Sequence, residues 1–397
     1  MKEHWILTGL LSLMGIGGIT PHHATTGHGT AWLGSDTTGN KSYSGLIFEQ
    51  THIIPSSWGI KSVLFNSTGT KLYALNLENM YISEFSQASK KQIRVFNFSP
   101  TKARGLDYRS HQKIPSFAEK PVEACFSHHD KILWVSLHNS EGIIPLPLDS
   151  AWRGQSAASS VRNKVVYLSH QGTQVKDTLL VPLIQTGKTP KVIAKTADNR
   201  YLLVSNWTSK TVSILKINDT LAPYGKKIAT ISTSAIPRGI AVDDKNSSTY
   251  VGIMGGNSII RINNKTWKVE KRFTVPQNPR HLVTDNLGRL FISFNAVSEI
   301  ACMATSTGRV LFTAKTHAQP RTIALSENQK FLFVTCYLGN KIDVFKINPG
   351  SFRRIFSIDC PGKPVGIALY ENKDTIEAWV GNYLVGHLNV FTFKKIK

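Results

Sequence analysis

Apolar and polar residues alternate with a period of two along most of the chain after about residue 46. In the segment RTIAL at residues 321–325, Ile323 and Leu325 would face one side of a strand, and Thr322 and Ala324 the other. No window shows the 3.6-residue spacing of an amphipathic helix. The alternation therefore predicts an all-β protein built from short strands.

The strand pattern belongs to a repeated unit. Each copy has a proline, an alternating strand, a polar turn and a second strand, as in GKTPKVIAKTADNRYLLVSNW from Gly187 and AQPRTIALSENQKFLFVTCY from Ala318. The prolines recur at spacings of 47, 42, 41 and 44 residues, at Pro190, Pro237, Pro279, Pro320 and Pro364. Two degenerate copies precede them, from Lys120 and from Ile60, which makes seven copies.

Third and fourth strands follow the first two in most copies, as at residues 341–347 and 353–358. Four short strands per repeat of about 40 residues are typical of a propeller blade. The last copy has three strands, at residues 365–369, 376–380 and 388–393, whereas an isolated strand at 46–54 precedes the first copy. We therefore predict a single seven-bladed β-propeller over residues 46–397, closed by an N-terminal strand that completes the C-terminal blade.

The first copies are separated by more sequence than the later ones. The excess falls at residues 101–117 and 145–174. We expect these two segments to be inserted loops on one face of the propeller.

The second strands read LLVSN at 202–206, LFISFN at 290–295, LFVTC at 332–336 and WVGN at 379–382. With the preceding proline and strand, this pattern resembles YVTN-type β-propeller repeats over roughly residues 46–397. The resemblance implies a secreted or periplasmic, surface-layer-like propeller that binds a partner more often than it catalyses a reaction. Some members of the family resemble lactonases, and some periplasmic ones are thought to bind DNA.

The N-terminus carries the pattern of an export signal. Lys2 precedes a short apolar run at residues 6–19, and small residues follow near Ala24. We predict a signal peptide over 1–24, a flexible Gly/Ser/Thr-rich lead-in over 25–45, and no transmembrane span in the mature chain. The predicted location is secreted or periplasmic.

The chain is strongly basic, with 47 Lys and Arg against 25 Asp and Glu and a formal net charge of +22. A field of this sign attracts polyanions such as nucleic acid or an acidic surface polymer. The alternatives are a protein partner, with the charge as a compositional background, and edge protection by basic pairs at the fourth strands.

Candidate binding residues follow from the position of each copy's innermost strand. The residue after each proline begins a strand that lines the central channel, and guanidinium groups there suit carboxylate or phosphate. The predicted channel-mouth site comprises Lys191, Arg238, Arg280 and Arg321, together with residues at the ends of second strands: Asn206, Trp207, Asn295, Tyr337, Asn382 and Tyr383. The alternative is that these residues are structural and repeat-encoded.

We predict no catalytic residue, no metal site and no cofactor. Patterns such as GxSxG, HExxH, Walker A and GxGxxG do not occur, the pair His128-His129 is predicted to lie in a solvated turn, and the four cysteines are expected to be free buried thiols. The predicted function is a non-enzymatic, extracytoplasmic binding or scaffold propeller. The alternative is a lactonase- or lyase-like enzyme with its site at the channel mouth.

Overall fold

The computed structural model describes residues 42–107, 110, 112–152, 162–173, 176–217 and 220–397. The predicted signal peptide at 1–24 and most of the lead-in lie outside these residues. The described chain folds as a seven-bladed β-propeller, as the repeats predict. Its one described helical element is a short 3₁₀ turn, Ser150–Trp152.

The blades are antiparallel sheets numbered from the innermost strand outwards. Blade 1 contains β2 (Ile60–Phe65), β3 (Lys71–Asn76), β4 (Tyr81–Ser86) and β5 (Gln92–Phe98). A hairpin of β6 (Lys102–Leu106) and β7 (Lys113–Phe117) leads to blade 2. Blade 2 contains β8 (Pro121–Ser127), β9 (Ile132–Leu137), β10 (Gly142–Pro147) and the short β13 (Ile184–Gln185). Between β10 and β13 the chain forms β11 (Asn163–His170) and β12 (Lys176–Pro182), which do not belong to blade 2. Blade 3 contains β14 (Pro190–Lys195), β15 (Tyr201–Asn206), β16 (Thr211–Lys216) and β17 (Lys226–Ser232).

The remaining blades follow the repeat closely. Blade 4 contains β18 (Ile236–Asp243), β19 (Ser248–Met254), β20 (Ser258–Asn263) and β21 (Val269–Thr274). Blade 5 contains β22 (Pro279–Thr284), β23 (Arg289–Phe294), β24 (Glu299–Ala304) and β25 (Val310–Lys315). Blade 6 contains β26 (Pro320–Leu325), β27 (Phe331–Cys336), β28 (Lys341–Asn348) and β29 (Ser351–Asp359). Blade 7 contains β30 (Pro364–Glu371), β31 (Thr375–Asn382), β32 (His387–Ile396) and β1 (Gly45–Pro55).

The innermost strands form a closed ring. Each of β2, β8, β14, β18, β22, β26 and β30 contacts the innermost strand of the next blade, and β30 contacts β2. Their side chains are almost all buried, because each lies between neighbouring blades. Residues at equivalent positions on these strands are therefore brought together around one central axis.

The N-terminal strand closes the ring as predicted. β1 pairs antiparallel with β32, from Gly45 opposite Ile396 to Pro55 opposite His387. Tyr43, within the predicted lead-in, is already buried: its ring stacks on Phe331 and its hydroxyl donates to a Glu371 carboxylate oxygen at 2.8 Å. Among the described residues, contacts with the propeller therefore begin before the predicted strand.

The two insertions are not the simple surface loops that the spacing predicted. The first forms the β6–β7 hairpin. The second begins later than predicted, because residues 145–147 still belong to β10. Its strand β11 pairs with β5 and with β12, so that blade 1 becomes a sheet of six strands. Unpaired backbone groups on the outer edge of blade 1 explain why this chain segment adds to the sheet there.

The four cysteines are buried and free, as expected. Within the described part of the chain, no helix is long and apolar enough to cross a membrane.

Candidate functional site

Five basic side chains converge on the centre of the ring. Lys191, Arg238, Arg280 and Arg321 each follow the proline that begins an innermost strand, and Lys61 has the same position in blade 1, after Ile60. Their exposed fractions are between 0% and 2%. We call Lys61, Lys191, Arg238, Arg280 and Arg321 the cation cluster. It lies deeper than the channel mouth at which four of its members were predicted.

The members of the cluster repel one another across the ring. Burial lowers the pKa of Lys61 well below its usual value, and Arg321, Lys191, Arg280 and Arg238 lower it further. Burial and then Arg238 act in the same way on Lys191. The pKa of Arg321 falls to about 10, chiefly through burial. Residues from five of the seven blades therefore share one electrostatic environment.

Aromatic rings pack against these cations. The Lys61 Nζ lies 4.7 Å from the centroid of the Tyr383 ring, and the Arg321 Cζ lies 3.3 Å from that of Tyr337. The Trp207 ring contacts two members of the cluster: its centroid lies 5.0 Å from Lys191 Nζ and 6.0 Å from Arg238 Cζ. Each such contact stabilises a buried cation by about 0.5–2 kcal/mol.

Two carboxylates belong to the surroundings of the cluster. Glu123 on β8 is buried, and its charge favours the protonated forms of Lys191 and Arg280. Glu78 is engaged by Lys120 at 2.8 Å and by the Tyr383 hydroxyl. Although burial disfavours the Glu78 charge, Lys120 and these hydrogen bonds leave its pKa below the usual range. The cluster therefore has five basic side chains near two carboxylates, of which Glu78 is already paired with Lys120.

Serine hydroxyls on the second strands hydrogen-bond to the backbone carbonyls of cluster residues. Ser205 Oγ accepts from the Val192 N–H at 3.1 Å and donates to the Arg238 carbonyl of the next blade at 3.1 Å. Ser136 and Ser293 donate in the same way to the carbonyls of Lys191 and Arg321, at 2.7 and 2.8 Å. These three serines therefore fix the backbone position of the neighbouring blade's basic residue, whereas Thr335 makes the equivalent bond to the carbonyl of Val365.

Two of the predicted ligand-binding residues face the interior of their own blades. Asn206 and Asn382 point into their own blades: Asn206 Nδ2 donates to Ser213 Oγ at 2.9 Å, and Asn382 Nδ2 donates to Asn389 Oδ1 at 2.6 Å. Both lie directly opposite the innermost proline, at Pro190 and Pro364. The side chain of this register position faces the blade interior, so the amide completes internal hydrogen bonds.

Asn295 belongs to a different position, because Phe294 rather than Asn295 pairs with Pro279. Asn295 therefore corresponds to Trp207, Tyr337 and Tyr383, one residue beyond the paired position. It is 7% exposed. Of the six predicted second-strand residues, Trp207, Tyr337 and Tyr383 contact the cluster, and Asn295 has the equivalent register position in blade 5. The two others point away from the cluster.

The predicted site did not include Lys61, Glu123 or His138. His138 occupies the Trp207 position of blade 2, and its Nδ1 lies 2.5 Å from Lys191 Nζ. Burial and then the charge of Lys191 lower its pKa well below the usual value. Alignment of the degenerate copy IKSVLF with the later ones would have placed Lys61 in the ring, whereas PVEACF has Val122 at that position and Glu123 one residue later.

The other basic and histidine motifs contact structural partners. Lys90 forms a 2.7 Å salt bridge with Glu377 of blade 7, and Arg354 forms one with Asp343 at 3.2 Å. His128 and His129 have positive φ in a turn, and His128 packs against Trp152. Among the described residues, no group of three or more His, Cys, Asp or Glu side chains could hold a metal ion.

Comparison with known proteins gives the fold and little beyond it. No family profile matches the chain. One curated relative, antigen Lp49 of Leptospira interrogans serogroup Icterohaemorrhagiae serovar copenhageni (strain Fiocruz L1-130), is 24% identical over 159 residues, which are 38% of this chain and 34% of that protein. The match thus spans about a third of the relative's length.

Solved propellers superpose on most of the chain. The WD40 repeats of RRP9 match with a TM-score of 0.66 at 9% identity, over 88% of this chain and 100% of that one. U3-55K gives 0.65 at 10% identity, over 87% and 99%, and the WD40 propeller of Doa1 gives 0.57 at 14%, over 88% and 97%. At these identities the likeness shows the fold alone: the chain is a seven-bladed β-propeller of the general WD40 shape.

Proposed function

We propose that this protein is a non-enzymatic binding propeller that holds an anionic ligand at its cation cluster. The observation that carries the proposal is the convergence of five buried basic side chains near the Glu123 carboxylate: Lys61, Lys191, Arg238, Arg280 and Arg321. The fold supplies the scaffold, and the repeat supplies the same cationic position on successive blades.

The energetics favour an anion. Each buried charge costs several kcal/mol of solvation, and like charges in one site increase this cost. The contacts with Trp207, Tyr337 and Tyr383 offset only part of it. A bound dianion would offset the mutual repulsion and shift the lysines back towards their charged forms. Guanidinium groups also match the geometry of carboxylate, phosphate and sulfate oxygens.

Sulfate and inorganic phosphate are suitable probes. We expect either ion to raise the melting temperature of the wild-type protein and to bind in calorimetry. The double variant Arg238→Met/Arg280→Met should fold, because methionine fills the space without the charge, but lose both effects. The control Arg309→Met/Arg353→Met removes two exposed arginines and should retain them. Equal stabilisation of the cluster variant and the control by sulfate would overturn the proposal.

We further propose that the chain is a YVTN-type propeller that acts outside the cytoplasm. The second-strand motifs and the predicted signal at 1–24 support this assignment. The partial similarity to a leptospiral antigen is compatible with it. Export of a reporter fused to residues 1–24 tests the compartment.

A second candidate function is a lactonase- or lyase-like activity. Its support is Lys191, whose amine has a lowered pKa and lies beside His138, because a neutral amine in a cationic site can act as a base or nucleophile. Turnover of a lactone panel that is lost in Lys191→Met would establish an enzyme. Binding of anions with no turnover over that panel would favour the binding protein.

A further inference from the structure

A cleft of about 520 Å³ lies between blades 2 and 3, beside the β6–β7 hairpin. One wall is the hairpin, and the others come from the turns after β9 and β15 and from the segments around β13. The hairpin is held in place by Asn139, whose Nδ2 donates to the Phe117 carbonyl at 2.8 Å, and by Ser140, whose Oγ donates to the Ala118 carbonyl at 2.8 Å. The cleft is therefore a preformed feature with a volume in the range of small-ligand sites.

The cleft is strongly basic. Its lining contains five basic side chains and one acidic one, Glu141; the basic residues are Arg104, Lys113, Arg162, Lys164 and Lys188. Lys164 forms a 2.6 Å salt bridge with Glu119 beneath it. Five positive charges against Glu141 and Glu119 leave an excess of three. A concave wall with charges of one sign concentrates anions.

One residue joins the cleft to the cation cluster. His138 lines the cleft and also contacts Lys191 at 2.5 Å, and Thr189 lines it two residues before Lys191. A ligand that contacts His138 from the cleft would therefore be separated from the Lys191 ammonium by a single imidazole ring.

The lining favours a carbohydrate over a nucleic acid. Apart from the His138 imidazole, none of the described residues that line the cleft carries an aromatic ring, and single-stranded nucleic acids rely on aromatic side chains for base stacking. The lining instead offers the Gln185 amide and the hydroxyls of Thr189 and Thr208. These two hydroxyls hydrogen-bond to each other at 2.8 Å and retain acceptor capacity for sugar hydroxyls.

We propose that this cleft binds an acidic oligosaccharide, one with carboxylate or sulfate groups on its sugars, with an acidic end directed towards the cation cluster. This inference rests on the proposed anion-binding function and names its ligand class. Arg104 in β6 and Arg162 just before β11 provide forked donors to the acidic groups, and Lys188 provides a further charge.

Calorimetry on the folded chain can test the assignment with a trigalacturonate probe, neutral maltotriose and a short single-stranded DNA. We expect trigalacturonate to bind, with an affinity that falls as salt rises, and maltotriose not to bind. Arg104→Gln/Arg162→Gln should weaken trigalacturonate binding about tenfold or more, corresponding to roughly 1.4 kcal/mol. The control Lys226→Gln/Arg353→Gln removes two exposed charges from blades 3 and 6 and should bind as the wild type does.

Sulfate stabilisation separates failure of this inference from failure of the proposed function. The cleft variant should retain stabilisation by sulfate, because the cation cluster is intact. No trigalacturonate binding together with normal sulfate stabilisation would overturn the cleft assignment and leave the anion site standing. The cleft assignment would also be overturned if Arg104→Gln/Arg162→Gln bound trigalacturonate as tightly as the wild type, or if the control variant lost as much affinity. Tighter binding of the DNA than of trigalacturonate by the wild type would overturn it as well. Absence of both responses in the wild type would reject both proposals.

Discussion

The Nζ of Lys191 lies 2.5 Å from the Nδ1 of His138, and the two residues belong to different blades. Both are buried, and burial lowers the pKa of each well below its usual value. A hydrogen bond between a lysine and a neutral imidazole links the basic cleft to the centre of the ring. We therefore expect a ligand that contacts His138 in the cleft to alter the protonation of Lys191.

Replacement of Lys61 by methionine should stabilise the ligand-free protein. Lys61 is buried among four other cations, and its removal relieves repulsion and desolvation, by roughly 1–3 kcal/mol. The same change should reduce sulfate stabilisation. Urea unfolding with and without sulfate checks both effects, with Lys265→Met as an exposed control. A destabilised Lys61→Met protein with undiminished sulfate binding would contradict the role assigned to this residue.

The stability of the ligand-free protein should rise with pH over part of the alkaline range. The pKa values of Lys61 and Lys191 are lower in the folded chain than in the unfolded chain. At pH values between the lysine pKa in the folded chain and the ordinary lysine pKa of about 10.4, the unfolded chain binds more protons than the folded chain. The free energy of unfolding therefore increases with pH over this range. Melting temperatures measured across this range should rise less steeply with pH for Lys61→Met/Lys191→Met than for the wild type.

Sulfate binding should show the opposite pH dependence. The anion favours protonated lysines, so its affinity should fall as pH rises through the lowered pKa values, below the ordinary lysine value. Sulfate remains a dianion throughout, so the change reports on the protein alone. An affinity independent of pH up to the ordinary lysine range would show that neither Lys61 nor Lys191 contributes a proton to binding.

Ser205 should act as a positioning residue for Arg238. Its hydroxyl bonds both the Val192 N–H and the Arg238 carbonyl, so Ser205→Ala leaves two buried backbone groups without this partner, at a cost of about 1–3 kcal/mol. We expect a loss of sulfate affinity of roughly fivefold, about 1 kcal/mol. Ser205→Thr, which keeps the hydroxyl as Thr335 does in blade 6, should restore most of it. A Ser205→Ala protein that is less stable but binds sulfate normally would limit the residue to a purely structural role.

Removal of the closing strand should open blade 7. β1 covers the edge of β32 along its length, and Ile54 packs with Leu388 and Val390 in the core. A protein that begins after Pro55 exposes this edge and should associate or lose cooperative unfolding. The milder change Tyr43→Phe removes one hydrogen bond to Glu371 and should cost about 1 kcal/mol. Light scattering and thermal unfolding distinguish the two expected results.

Much of the fold was determined by local sequence. The alternation of apolar residues gave strands, and the proline-based repeat gave seven blades, because both depend on backbone geometry that recurs every few residues. The pairing of residues 46–54 with the last blade was also predictable, since an incomplete blade and an isolated strand have one natural partner. The cationic position after each proline was readable for Lys191, Arg238, Arg280 and Arg321 for the same reason.

Only the tertiary structure determined the direction of individual side chains, which depends on strand register, and the contacts between residues distant in sequence. A shift of one residue along β23 places Asn295 beside the channel, whereas Asn206 and Asn382 point into their blades, and motif letters do not record that difference. The return of β11 to blade 1, the basic cleft that the β6–β7 hairpin forms, and the Lys191–His138 contact join residues distant in sequence. Such contacts depend on how blades pack around the axis, and only the closed ring specifies them.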